Sequence, residues 1–566
     1  LSPSSNREIE AARHYHQATS HSYWNVRHGG RELDWPNYPR PFKVYPQLEP
    51  IPLPRDFPPT NVPALDPSIM NQESVILSEA VRSSRYGPPR IREGIGTKDP
   101  ETTSTLYLSV PTLPQIASLL YHSAGVTRRR SWPGGEIYFR AAACTGALYE
   151  IELYLVTREI ETLPAGVYHF SPADFALRRL REGDWRTVLA AASAAEPAIA
   201  RAPIAIVATG IYWRNAWKYG ARTYRHFGWD NGTIHANLMA MAAAHHLPAR
   251  LVLGFEDEPI NRLLDLDTEK EVALSVLAVG GGDPPVPAAP TEFPPLHLET
   301  VPYSPEEVDF PEMRVMHSST RLTTQAEVAT WRAASMSETP PVAQPLLAAA
   351  GKITIPLPIP PQAQIEAQDA GHQSKIESQE DSLETVITRR GSSRRFTHDP
   401  ITLAQLSAAL EFATRPISAD FLAPGERLND LYLIANAVEG LDPGSYFFTR
   451  DPFGLELLKS GMFREEARYL GLEQALAGDA AAAIFFLADL DAILARYGNR
   501  GYRAAQLEAG ILGGRLYLAS YAQHLGATGL TFYDDDVIAF FSPHAAAKAA
   551  IFLVAVGHPA KRLRTL

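Results

Sequence analysis

The stretch ELYLVTREIETLPAGVYHF, residues 152–170, is matched without a gap by DLYLIANAVEGLDPGSYFF, residues 430–448. The two share a Leu-Tyr-Leu strand core, Glu161 with Glu439, Leu163 with Leu441, Gly166 with Gly444, Tyr168 with Tyr446, and a closing Phe. The same offset lays WKYGARTYRHFGWDNG (217–232) on ARYGNRGYRAAQLEAG (495–510). A repeat of this length marks a duplicated domain, not a solenoid. Two like domains in one chain place the expected function at their junction.

Working outward, 566 residues are more than one hydrophobic core usually supports. Hydrophobic residues at 45% and charged residues at 20% are ordinary for a soluble globular protein. A net charge of -11 argues against a nucleic-acid partner, so any anion site must be local. The single cysteine, Cys144, rules out an internal disulfide. With no secretory leader and no apolar run long enough to cross a bilayer, the expectation is a cytoplasmic protein without a membrane partner. The chain opens at Leu1, which leaves a trimmed upstream segment open.

Residues 1–60, with LDWPNYPRPFKVYPQLEPIPLP, read as an extended N-terminal arm lying on a folded surface. Residues 61–280 form the first expected domain. LPQIASLLYHSAGV, from Leu113, has helical spacing with Pro114 near its start and Gly125 near its end; its partner runs from Leu403 to Pro416. Strands are expected at 153–156, 204–208, 251–254 and 276–279, and a small-residue helix at 233–245, a mixed α/β order. Residues 281–381 hold too many prolines for a compact element and read as a connector, with the second domain over 382–566.

The sharpest chemical motif is TRRGSSRRFTHDPITLAQL, residues 388–406. Arg390, Ser392 and Arg394 at alternate positions offer guanidinium forks and hydroxyls, beside a glycine that lets backbone amides approach an anion, so a phosphate is the natural ligand. The bland reading is a solvated basic helix end. The loop, followed by Phe396 and a helix beginning Ile-Thr-Leu, resembles the FMN phosphate loop of the nitroreductase-like flavoproteins. That resemblance implies an α+β fold of two tandem nitroreductase-like domains forming an intramolecular pseudo-dimer, with FMN as cofactor.

FRAAACTGALYEIELYLV, residues 139–156, resembles a segment of the SagB-type dehydrogenases, the branch that oxidises thiazolines and oxazolines in peptides to azoles. By that resemblance Arg140, Cys144, Thr145, Gly146 and Ala147 contact the flavin. Ala143 and Glu150 stand where the branch has prolines and Cys144 where it has serine; Cys144 reads as a serine substitute, not a redox thiol. NAWKYGARTYRHFGWDNG, residues 215–232, resembles the Lys-Tyr element of the same enzymes. Aromatising an azoline removes a proton beside the carbonyl and a hydride from the neighbouring atom. Lys218 and Tyr219 serve if burial lowers the lysine pKa or the ammonium lowers that of the tyrosine; the alternative is an exposed lysine beside a packed tyrosine. The second copy has Arg496-Tyr497, and an arginine cannot act as base. His226, His235, His245 and His246 show no ligand pattern, so no metal is expected.

The family normally builds two flavin sites at a homodimer interface. Here each copy keeps one part. DPETTSTLYLSV stands where the first copy would carry the arginine loop, Arg82-Ser83-Ser84-Arg85 being a weak imitation, and ISADFLAPGERLN replaces the wall in the second. Lys561 and Arg562 add charge to the tail of the second copy only. One FMN site per chain is expected. The resemblance implies an oxidoreductase acting on an azoline-type heterocycle in a peptide or peptide-like product. The alternatives are an NAD(P)H-dependent nitro or quinone reductase and a non-catalytic subunit of a peptide-modifying complex. Partners are then the heterocyclic substrate, peptide-modifying proteins and a further copy of the chain.

Overall fold

The computed structural model describes residues 5–29, 32–69, 109–132, 135–282, 286, 293–336, 353–359 and 381–560. The repeat becomes two seven-stranded sheets of one topology. The first runs Pro50–Pro52, Ala176–Glu182, Gly166–Ser171, Ile151–Thr157, Ile204–Ile211, Glu271–Val279, Ala249–Val252. The second runs Thr354–Pro356, Phe453–Ser460, Gly444–Arg450, Asn429–Ala435, Ala482–Ala488, Ala549–Gly557, Gly526–Leu530. Neighbouring strands are antiparallel throughout both sheets. Along Ile151–Thr157, Leu153 and Leu155 join the large core shared by the two halves, while Tyr154 and Val156 join a second cluster under the helices Arg186–Ala192 and Asp257–Leu263. This is the period of two that a strand covered on both faces requires.

Between the sheets lie two long helices, Thr223–Ala244 and Arg500–Ala522, almost wholly buried. The first begins at Thr223, well before the 233–245 expected, because Gly228 and Gly232 do not break it. They let the helices touch: a Cβ on Gly232 would stand 2.5 Å from the backbone of Gly510, and one on Gly514 would stand 2.7 Å from the Cβ of Ala236. Gly232 and Gly510 are repeat counterparts, as are Ala236 and Gly514. Each position facing its own counterpart defines an isologous interface, so the halves form an internal pseudo-dimer with the two helices parallel.

The proline-rich segments supply the outer strand of each sheet. Leu53 N donates to Phe175 O at 3.1 Å and Leu357 N to Phe453 O at 3.2 Å, each from an Ile-Pro-Leu-Pro sequence onto repeat-equivalent carbonyls. Proline is tolerated in a strand only at such an edge. Two expectations are corrected here. The arm is not extended throughout: it opens with the helices Glu10–Ala18 and Tyr23–His28. Helix Glu10–Ala18 gains its packing from both halves, with Ala12 N donating to Asn499 Oδ1 at 3.1 Å and the Tyr15 hydroxyl donating to Ala221 O. The connector likewise holds the helices Pro311–Ser319 and Gln325–Ser335. Their prolines and caps sit where helices start: Pro311 is the first helical residue, and Thr324 accepts from Glu327 N. Among the described residues no helix is long and apolar enough to cross a membrane.

Candidate active site

A cleft of about 850 Å³ opens between the halves. Its floor and one wall come from the first half, residues 139–149, and the facing wall from residues 389–395 of the second. Arg140, Cys144, Ala147, Arg390, Ser392 and Arg394 are brought together there, and Pro559 and Ala560 close one end.

Helix Leu383–Arg389, capped by the Ser382 hydroxyl, delivers the arginine loop. Arg390 is buried and reaches across the junction, its Nε donating to Ala141 O at 2.8 Å and its Nη2 to Arg140 O at 2.9 Å. Ser392 Oγ lies 3.2 Å from the Tyr517 hydroxyl. Arg394 is exposed and has no hydrogen-bond or ion-pair partner among the described residues. Arg140 is buried between the rings of Phe42 and Tyr149, its Nη2 donating to Pro41 O at 2.6 Å and its Nε left without a partner. Burial lowers the pKa of both Arg140 and Arg390. Neither forms an ion pair among the described residues, and a buried charge without a counter-charge is costly.

Asp230, on the first central helix, fixes the wall. It accepts from Thr145 N at 2.9 Å, from Thr145 Oγ1 at 2.9 Å and from Cys144 Sγ at 3.2 Å. Cys144 Sγ also donates to Glu150 Oε2 at 3.4 Å and accepts from Tyr149 N at 3.0 Å. Burial, then the neighbouring Asp230 charge, pushes the Glu150 carboxyl well above its ordinary range; Asp230 is raised by burial as well. The two carboxyls share one proton. Burial also raises the Cys144 thiol, so it stays protonated. Cys144 and Glu150, two of the three departures from the family segment, thus belong to one hydrogen-bonded cluster. Its donor atoms lie within 4.8 Å of one another, the one such group of three among the described residues.

Helix Tyr212–Tyr219 ends where Gly220 takes φ 55°, turning the chain into the central helix. Tyr219 packs on the wall: a Cβ on Gly146, itself at φ 66°, would stand 2.9 Å from the Tyr219 hydroxyl. Thr145 and Gly146 do not line the cleft but pack against Asp230 and Tyr219, and neither Lys218 nor Tyr219 lines it. Lys218 is exposed, its Nζ 5.1 Å from the Tyr219 ring centroid. Partial burial, then the Arg394 charge, lowers the Lys218 pKa. Tyr219 goes the other way, contrary to the option that its pKa falls. Burial first, then Asp230, Cys144 and Glu150, raise it, so it is a neutral phenol. The arm borders this corner, with Trp217 Nε1 donating to Asp34 O at 2.8 Å and Trp35 and Tyr38 standing edge-on to Trp217.

Lys561 and Arg562 lie outside the described residues, as do Arg82, Ser83, Ser84 and Arg85. The histidines make packing bonds: His226 Nδ1 to Asn215 Oδ1 at 2.8 Å, His235 Nε2 to Ser275 Oγ at 2.8 Å and His245 Nε2 to Ser118 Oγ at 3.1 Å. Two parts of the site escaped the sequence reading. Asp230 carries no local signal, because its partner Thr145 is 85 residues away. The hairpin Val126–Trp132 with Gly135–Arg140, which sends Arg128, Arg129 and Arg130 to the cleft, has its local signal in the sequence Pro-Gly-Gly between β-rich runs.

The repeat-equivalent corner of the second half is closed. Tyr497, counterpart of Tyr219, is buried and donates to Phe421 O at 3.0 Å. Arg496, counterpart of Lys218, donates to Ala334 O at 2.6 Å and Ser335 O at 2.7 Å, at the end of the connector helix Gln325–Ser335. Trp331 from that helix packs against Gly254, and its Nε1 donates to Tyr497 O at 2.9 Å. Asp420, in the segment equivalent to the wall, is buried and accepts from Leu253 N and Gly254 N, both at 2.8 Å.

Against known proteins, the model of the nitroreductase family matches residues 112–281 and again 387–558. A nitroreductase-type protein of Methanocaldococcus jannaschii is 29% identical over 175 residues, covering 31% of this chain and 83% of that one. A nitroreductase-type crystal structure from Anabaena variabilis superposes with TM-score 0.70 at 25% identity, over 97% of this chain and 99% of that one. The two matched segments cover six of the seven strands of each sheet, all but the proline-rich outer one, and the central helices between them. The chain belongs to the nitroreductase family of oxidoreductases, as two such domains in tandem.

Proposed function

We propose that the cleft binds FMN and that the protein dehydrogenates an azoline-type heterocycle in a peptide or peptide-like substrate. The observation that supports this most is the pair of buried guanidiniums, Arg140 and Arg390, at the open junction of the halves, with no ion-pair partner among the described residues. An anionic ligand offsets that cost. Arg390, Ser392 and Arg394 would hold the phosphate. The small residues Ala142, Ala143 and Ala147 would admit a flat ring, and Gly391 leaves room, since a Cβ there would meet nothing nearer than 3.6 Å. When bound, FMN supplies the two-electron acceptor.

The remaining chemistry falls to side chains. Lys218, exposed and with a lowered pKa, takes the proton from the carbon beside the substrate carbonyl. Tyr219, held as a phenol, donates a hydrogen bond to the carbonyl oxygen as charge develops there. The exposed rings of Trp35, 66% accessible, and Tyr38, 41% accessible, give the same corner an apolar rim on which a heterocycle-bearing peptide can lie. The test is colour. The purified protein should show flavin absorbance, and replacing Arg390 and Arg394 together by alanine should abolish it; full FMN occupancy in that double variant would defeat the assignment.

A further inference from the structure

The two copies differ in length between their first helix and their first central strand. Leu113, which opens one helix, lies 39 positions before Glu152, whereas Leu403 lies only 27 before Asp430. The extra residues form the hairpin Val126–Trp132 with Gly135–Arg140, which has no counterpart in the second half between Leu403–Ala413 and Asn429–Ala435. The hairpin overhangs the open cleft. Its strand carries three successive arginines. Arg129 is paired with Glu136 across the hairpin. Arg128 stacks on the Phe139 ring at 4.4 Å and lies beside Gly391 of the opposite wall, and neither its guanidinium nor that of Arg130 has an ion-pair or hydrogen-bond partner among the described residues.

Among the described residues the cleft lining holds eight arginines and not one carboxylate, in a chain whose net charge is -11. A single phosphate carries about -2 and is already served by Arg390, Ser392 and Arg394 on the facing wall. We infer that Arg128 and Arg130 form a second anion subsite, which recognises a phosphate or carboxylate group on the substrate itself. This deepens the flavin reading and rests on it: with the cofactor phosphate on one wall, the inserted hairpin selects substrates bearing an acidic group. Two unpaired guanidiniums on one overhanging strand suit that task, because they fork onto oxygen pairs and draw anions into the cleft.

The test uses the FMN-saturated protein, inorganic pyrophosphate and citrate as probes, and the double variant R128Q/R130Q, read by calorimetry and by the flavin absorption band. The variant should retain FMN as the parent does, yet bind the better of the two probes at least 10-fold more weakly. Pyrophosphate binding alone indicates a phosphoryl group, citrate binding alone a carboxylate. The subsite is refuted by loss of FMN from the variant, by equal probe affinity in both proteins, or by no probe binding to the parent. If the protein takes up no FMN at all, the flavin reading fails separately. The same titration of the flavin-free protein, R128Q/R130Q against R394Q, still shows whether the hairpin holds an anion, and equal weakening in the two would overturn it.

Discussion

The open cleft and the closed corner opposite it descend from the same repeat and have opposite electrostatics. At the cleft, arginines face one another without carboxylates; at the closed corner, Asp420, Glu426 and Glu508 are turned inward onto backbone amides and Arg496. Lys218 is exposed where Arg496 is tied to the end of a helix. The difference shows how the two copies of a duplicated assembly have diverged. The first copy carries a hairpin over the open cleft, and the connector contributes a helix that packs into the corner opposite. The carboxylates of the closed corner are satisfied by donors within the fold, whereas Arg140 and Arg390 have no counter-charge within salt-bridge distance among the described residues.

The comparison breaks first at Trp331. If the helix Gln325–Ser335 is structural filling, W331A should cost about 3–5 kcal/mol, the range for emptying a large aromatic from a core, seen as a lowered urea midpoint. FMN content per chain should not change, because the cleft lies elsewhere. An unaltered midpoint would mean that the indole fills nothing.

The next contrast is chemical. K218A/Y219F should leave bound FMN in place and slow its reduction by a peptide azoline by roughly 100-fold or more, about 2.7 kcal/mol of barrier. The equivalent change in the closed corner, R496A/Y497F, should leave that rate untouched in whatever fraction stays folded. Reduction by NADPH should be indifferent to both pairs, since direct hydride transfer needs no base. If NADPH reduces the flavin rapidly and the azoline rate ignores Lys218 and Tyr219, the protein is a reductase and the pair is structural.

How far the sequence could foresee this contrast depends on where each signal lies. The repeat is legible because Gly166 with Gly444 and Tyr168 with Tyr446 survive at one offset. Each tyrosine hydroxyl donates to a carbonyl four residues back, Pro164 O or Asp442 O, which fixes the pair locally. The arginine loop is legible because its chemistry is contiguous. The start of the first central helix is hidden, because Gly228 and Gly232 are poor helix formers whose purpose is an approach to the other half. The filling of the second corner is hidden for a similar reason: nothing near Trp331 names Tyr497 as its partner, and proline around the helix argues locally for loop.

A smaller effect lies in how stability at the closed corner depends on pH. Burial raises Glu508, the counterpart of Asp230, from 4.5 to about 7, and Asp420 from 3.8 to about 6. The folded chain therefore holds protons that the unfolded chain has released. The stability these groups contribute is full below about pH 4 and falls as pH rises toward 6 to 7, by at most about 1.4 kcal/mol per pH unit for each group. E508Q should flatten part of that slope in urea midpoints measured from pH 4.5 to 7. An unchanged slope would mean that Glu508 is ionised throughout.

The smallest effect belongs to the open side. Glu150 already carries the proton it shares with Asp230, so E150Q exchanges one neutral group for another and should move stability by only about 0.5 kcal/mol near pH 5. Because the folded Glu150 pKa lies above the unfolded value, the parent loses stability as pH rises past 4.5 while the variant does not. The variant should therefore gain on the parent steadily toward pH 8, with FMN content unaltered. D230N is the control: it weakens the anion that accepts from Thr145 N and Oγ1, and should cost about 1–3 kcal/mol at every pH. If E150Q instead costs as much as D230N across the range, Glu150 is an ionised partner in the cluster, and the wall is held by two charges and not by one shared proton.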